Sequence, residues 1–130
     1  MFATTHRAEQ HVHTDPMYSA ILSRKSLEEF VLWLYENDED LEIPVDTTLN
    51  SLLHDASFIK LVPETLFRNV NLVRKIGNNA AHSSSATTVR DSLSSLKILH
   101  DLLYGWYAYI AVARLLFTNL MKPFFRMAPR

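Results

Sequence analysis

Arg74, Asn78 and His82, within the stretch RKIGNNAAH, are the residues whose types and spacing could do chemistry in this 130-residue chain. An arginine guanidinium offers paired N–H donors to a phosphate. A histidine moves protons near neutral pH. The three are spaced i, i+4, i+8, and each step of four residues turns about 40° on a helix, so they share one face as a polar ladder. One reading makes the ladder a site for a phosphodiester. The other makes it structural, with Asn78 bridging its neighbours and His82 set against the helix C-terminal dipole. The same stretch carries Gly77, Ala80 and Ala81 on one side. Glycine inside a helix costs about 1 kcal/mol relative to alanine. Its presence therefore asks for a packing reason: small residues let another helix approach closely. The aromatic residues Tyr104 and Trp106 of a later helix are the expected occupants.

Those side chains need helices to hold them. Asp15 followed by Pro16 gives an N-cap and a first helical residue, and the spacing predicts a helix over 16–37. Ala20, Leu27, Phe30, Val31 and Leu34 form its apolar face. Before it, residues 4–13 are polar and predict a loose or short helical entry. An acidic stretch, NDEDLEIPVD, reads as a solvated connection. A short helix begins at Thr47 or Thr48 and reaches about 55. Pro63 and Glu64 start the helix that carries the ladder, to about 82. The run SSSATT breaks the chain, and a last helix starts near Thr87 or Thr88, passes Tyr107 and continues toward Asn119. The fold class expected is an all-α bundle of four to five helices, organised as a domain over 1–111 and a C-terminal helix or tail over 112–130, a linker or interface.

Composition narrows the function. The formal net charge is −1 with 13 Lys and Arg against 14 Asp and Glu, so no basic stripe announces nucleic acid. There is no Cys, which removes disulfides and thiolate metal sites. With no basic-then-apolar leader pattern, a cytoplasmic location is expected. His11 and His13 alternate in HVH without a carboxylate cluster and read as a solvated end, so no metal and no cofactor is expected. Residues 102–121, LLYGWYAYIAVARLLFTNLM, are long enough to span a bilayer. Arg114 inside the run and the scattered Tyr104, Trp106, Tyr107 and Tyr109 favour a buried or interface helix instead. The surplus of large apolar residues from Tyr104 to Phe125 predicts a homodimer face. No Gly-Lys-Ser/Thr phosphate loop is present.

Two segments, AEQHVHTDPMYSAILSRKSLEEF and LLHDASFIKLVPETLFRNVNLVRKIGNNAAH, resemble a small helical domain at the N-terminus of type I restriction enzyme R (HsdR) subunits and related helicases. The resemblance covers about residues 7 to 110. It rests on Asp15-Pro16, Lys25 and Glu29 on the first long helix, then Arg74, Gly77, Asn78, Ala81 and His82. That domain is similar to the HEPN (higher eukaryotes and prokaryotes nucleotide-binding) superfamily of helical bundles. Many of these dimerise and place an Arg and a His, four to six residues apart, at a shared RNA-cutting cleft. Here seven residues separate Arg74 from His82. The resemblance implies a HEPN-like bundle in which Lys25, Glu29, Arg74, Asn78 and His82 form a polar network, with Glu29 as the charge partner of Arg74. It also implies a non-catalytic interaction or dimerisation domain of a restriction-modification or other nucleic-acid-processing defence system. Its partners would be a second copy or a larger restriction or helicase assembly, with nucleic acid a further partner class and a membrane disfavoured. The alternative is a metal-independent endoribonuclease using Arg74 and His82, with Asn78 between them.

Overall fold

Six α-helices account for the regular structure of the computed structural model, which describes residues 1–82 and 86–116, with side chains described to residue 108. They are α1 (Phe2–His11), α2 (Pro16–Asn37), α3 (Leu49–His54), α4 (Ala56–Leu61), α5 (Glu64–His82) and α6 (Val89–Leu116). No strand occurs among the described residues. The all-α expectation is met, with six helices rather than four or five.

Local chemistry explains most of the boundaries. Asp15 Oδ1 accepts the backbone N–H of Tyr18 at 3.1 Å, and Pro16 supplies the first turn of α2 without wasting a donor. Thr48 caps α3 by accepting the N–H of Ser51. Asp55 ends α3 and also caps α4, accepting the N–H of Ser57 at 3.1 Å. Of the two readings of the polar entry, loose or short helical, the helical one holds: α1 covers Phe2–His11. Its polar residues hid it, since only Thr5 and Ala8 within it are buried. No sequence expectation covered α4.

α2 is the centre of the bundle, packing against α1, α5 and α6. Its apolar face, Leu27, Phe30, Val31 and Leu34, meets Leu52 and Leu53 of α3, Val70 and Val73 of α5 and Leu99, Leu102 and Leu103 of α6 in one core. A smaller core joins Ala8 and Val12 to Leu22 and Leu96. Between the cores the crossings are made by small hydroxyls. Ser19, Ser23 and Ser26 of α2 and Ser92 and Ser95 of α6 are fully buried. Ser19 donates to the Ala8 carbonyl at 2.7 Å, and Ser92 to the Pro16 carbonyl at 2.5 Å. Small side chains bring the helices close, and the hydroxyls of Ser19, Ser26 and Ser92 satisfy carbonyls that would otherwise be buried bare.

α6 runs unbroken across the boundary expected at 111/112. No described helix is long and apolar enough to cross a membrane. The tail KPFFRMAPR, the expected end of the last helix near Asn119 and the expected interface beyond residue 108 lie outside the described residues or their described side chains.

Candidate functional site

Gly77 is fixed by α2, not by the aromatics of α6. A Cβ placed on Gly77 would collide with the Cβ of Arg24, sit 2.9 Å from its Cδ and 3.1 Å from the Ala20 carbonyl oxygen. The glycine therefore lets α5 lie directly on the turn of α2 that holds Ala20 and Arg24. The expectation of a close helix contact at Gly77 holds, and its partner is corrected. Trp106 is buried elsewhere, with its ring centroid 5.6 Å from Phe30 and 4.9 Å from Trp33. Tyr104 is exposed. Ala80 is buried beside Gly77 on the contact face, whereas Ala81 is exposed and takes no part in the packing. Ala80 and Ala81 flank Gly77 on opposite sides, about 60° one way and about 40° the other, and α2 covers the side that carries Ala80.

The ladder is also rearranged. Arg74 Nε donates to Asn71 Oδ1 at 2.9 Å, one turn back on its own helix. Glu29 does not pair with it. Glu29 Oε2 lies 2.7 Å from the amino group of Met1, and Oε1 accepts the Thr4 hydroxyl at 2.9 Å. Burial raises the Glu29 pKa, but the hydrogen bonds from Met1 and Thr4 and the charges of Met1 and Lys25 outweigh it and leave the carboxyl below its ordinary range. Glu29 thus ties α2 to α1, and Lys25, itself exposed, acts on Glu29 through space. The physical reason is register: Arg24, not Glu29, is the α2 residue that crosses α5 at Gly77.

The charge that bears on Arg74 belongs to a second cation, Arg24. Burial lowers the Arg74 pKa, and the charge of Arg24 lowers it further. Arg24 has its stem against Gly77 and its Nε buried with no hydrogen-bond partner among the described residues. Its one ion-pair contact there is to Glu28, Nη1 to Oε2 at 3.7 Å. Asn78 is half-buried, and His82 is exposed at the end of α5. Eight residues of helix put the Arg74 and His82 backbones about 12 Å apart along the axis. The structure therefore keeps Arg74 and Asn78 near the α2 crossing and leaves His82 outside it. Sequence reasoning missed Arg24. The available signal was its position four residues after Ala20, on the face that α2 turns toward its partner.

A second feature lies where the start of α1 meets α6. The Phe2 ring packs against both Tyr104 and Tyr107, 6.3 Å and 5.9 Å away by centroid. They line an open apolar depression. The His100 ring lies 5.1 Å from Tyr104, and His100 also makes an ion pair with Glu9 of α1. Among the described residues no group of three or more histidines and carboxylates is placed to hold a metal ion.

These features define an all-α bundle with a cationic helix crossing and an exposed aromatic face, without a recognisable catalytic constellation among the described residues. The chain belongs to the family described as Domain of unknown function (DUF4145), whose pattern matches residues 6–121. No curated protein and no solved structure matches it.

Proposed function

We propose that this chain is a non-catalytic helical interaction domain that pairs with a second copy of itself, serving a restriction-modification or other nucleic-acid-processing defence system. The observation that carries the pairing is the aromatic cluster. Phe2, Tyr104 and Tyr107 are 39%, 57% and 60% exposed, with the Phe2 ring against both tyrosines. Single exposed apolar residues are ordinary, but contiguous exposed rings mark interaction surfaces. Two copies related by a two-fold axis can lay these rings against each other, and a net charge of −1 gives little repulsion between copies. The link to a defence system rests on the resemblance of the segments around Asp15-Pro16 and RKIGNNAAH.

The ribonuclease reading ranks second. A metal-independent cleavage needs an acid or base beside the phosphodiester that arginine holds. His82 is exposed and lies more than two turns from Arg74. Sedimentation equilibrium tests the proposal. A dimer at micromolar concentration that becomes a monomer in Tyr104→Arg/Tyr107→Arg supports it. A monomer in the unaltered chain sinks it. RNA cleavage by the purified protein, abolished in His82→Ala, would move the assignment to the ribonuclease.

A further inference from the structure

The α2–α5 crossing holds an electrostatic arrangement that packing alone does not explain. The Arg24 stem, from Cβ to Cδ, fills the space that Gly77 leaves. A leucine or methionine stem would fill it as well, and neither would put a charge there. Beyond the stem, the Nε is buried and unpartnered among the described residues, and the only ion pair there is the 3.7 Å contact to Glu28. Arg74 sits one turn before Gly77 on the facing helix. Its Nε donates to Asn71 Oδ1, and it makes no ion pair among the described residues. Two partly buried guanidiniums thus lie at one crossing, where a single carboxylate, Glu28, pairs with Arg24 at 3.7 Å. Two like charges at such a place repel, as the depressed Arg74 pKa reflects, after burial itself. An anion between them would relieve both the repulsion and the unmet donors.

We propose that Arg24 and Arg74 form a clamp for the phosphate group of a small phosphomonoester, with Asn78 as a neutral donor beside it. The guanidinium fork matches a tetrahedral oxyanion, and a charged, bidentate contact is among the strongest polar contacts that proteins make. Two cations favour a dianion over a monoanion. A phosphomonoester near neutral pH carries close to two charges, while a diester linkage or a carboxylate carries one. Asn78 lies one turn beyond Arg74, half-buried on the same ladder, and its amide can donate to an oxygen that both arginines hold. Gly77 positions the clamp. It allows the Arg24 stem to cross α5 one turn from Arg74, and a larger residue there would carry the two guanidiniums apart. The clamp is independent of the aromatic face and would work in a monomer or a dimer.

Calorimetry on the full chain tests this with inorganic phosphate, adenosine 5′-monophosphate, the dinucleoside monophosphate ApA, which has a diester and no terminal phosphate, and acetate. Arg24→Met and Arg74→Met keep an apolar stem and remove one charge each, and thermal melting without any anion checks that both variants fold. Phosphate and the nucleoside monophosphate should bind saturably, and each variant should lose about tenfold or more in affinity, the loss expected of a charged hydrogen-bonded contact. Both should also raise the melting temperature of the unaltered chain and leave that of the variants unmoved. Acetate should do neither. Binding that persists in both folded variants, or no saturable binding of phosphate or the monoester, overturns the proposal. ApA binding as tightly as the monoester overturns it too, and assigns the arginines to a diester backbone.

Discussion

At the scale of single residues, Gly77 and Tyr35 show how much rests on one atom. Gly77→Ala sets two effects against each other. Alanine gains about 1 kcal/mol of helix propensity. Its Cβ also meets the Cβ of Arg24 and the Ala20 carbonyl. Neither can swing aside as a side-chain tip does, because both are fixed by the α2 backbone, and overpacking of this kind costs about 1 to 3 kcal/mol. We expect the variant to be less stable in urea titration, despite its better helix former. A gain in stability would show that the helices do not touch here. Tyr35 is buried, and its hydroxyl donates to the Leu52 carbonyl at 2.5 Å, joining α2 to α3. Burial and then the charge of Asp55, opposed in part by a hydrogen bond to Ser57, push its pKa up to about 12 from 10.0. The folded state thus favours the protonated phenol. That contribution is whole below the unfolded pKa near 10 and is lost as pH rises toward 12. Tyr35→Phe should cost about 1 to 3 kcal/mol near neutral pH, by leaving the Leu52 carbonyl unpaired. The gap between variant and parent should then narrow in melts above pH 10. A gap constant from pH 7 to pH 12 would contradict the assignment.

At the scale of elements, the helices that the sequence announced are those with strong end signals. Asp15 and Pro16 open α2 and Glu64 opens α5, and the observed spans Pro16–Asn37 and Glu64–His82 agree with the expected 16–37 and about 64–82. α4 has six residues, less than two turns, too short for an apolar period to register. α1 has little apolar signal because serine and threonine hydroxyls, as well as greasy contacts, dock it. Thr5 bonds Ser26 at 2.6 Å, and Ser19 bonds the Ala8 carbonyl. The ladder was legible as spacing on one helix. What it faces was not, because the crossing register of α2 on α5 is a tertiary fact. That register put Arg24 where Glu29 was expected and left Ala81 outside. Asp55 joins the element scale to the residue scale, since it caps α4 and its charge bears on Tyr35. Asp55→Ala should lose about 1 kcal/mol through the cap. It should also bring the Tyr35 titration down from about 12 toward 10, as followed by ultraviolet absorbance at high pH. An unmoved titration in a folded variant would separate the two roles.

For the whole molecule, the question is how a small bundle keeps three rings in water. α2 is covered on several sides by α1, α5 and α6, so the main core is closed, and Phe30, Leu27 and Leu34 are essentially inaccessible. The ring cluster lies outside that core, on the surface shared by the start of α1 and the later part of α6. Burying Phe2, Tyr104 and Tyr107 further cannot be done by α2, whose neighbouring aromatic position is already filled by Trp106 against Phe30 and Trp33. The cover proposed above is a second copy of the chain. Folding and association are then linked, and dimer formation stabilises the native state by mass action. The melting temperature should then rise as protein concentration rises from the micromolar range upward. Tyr107→Arg places a charge in the apolar patch, and it should abolish that dependence while leaving the low-concentration melt close to the parent's, because the site is already 60% exposed in the single chain. A concentration-independent melt in the unaltered chain would leave the rings to a different partner, while a large drop at low concentration in Tyr107→Arg would place Tyr107 in the fold of the single chain.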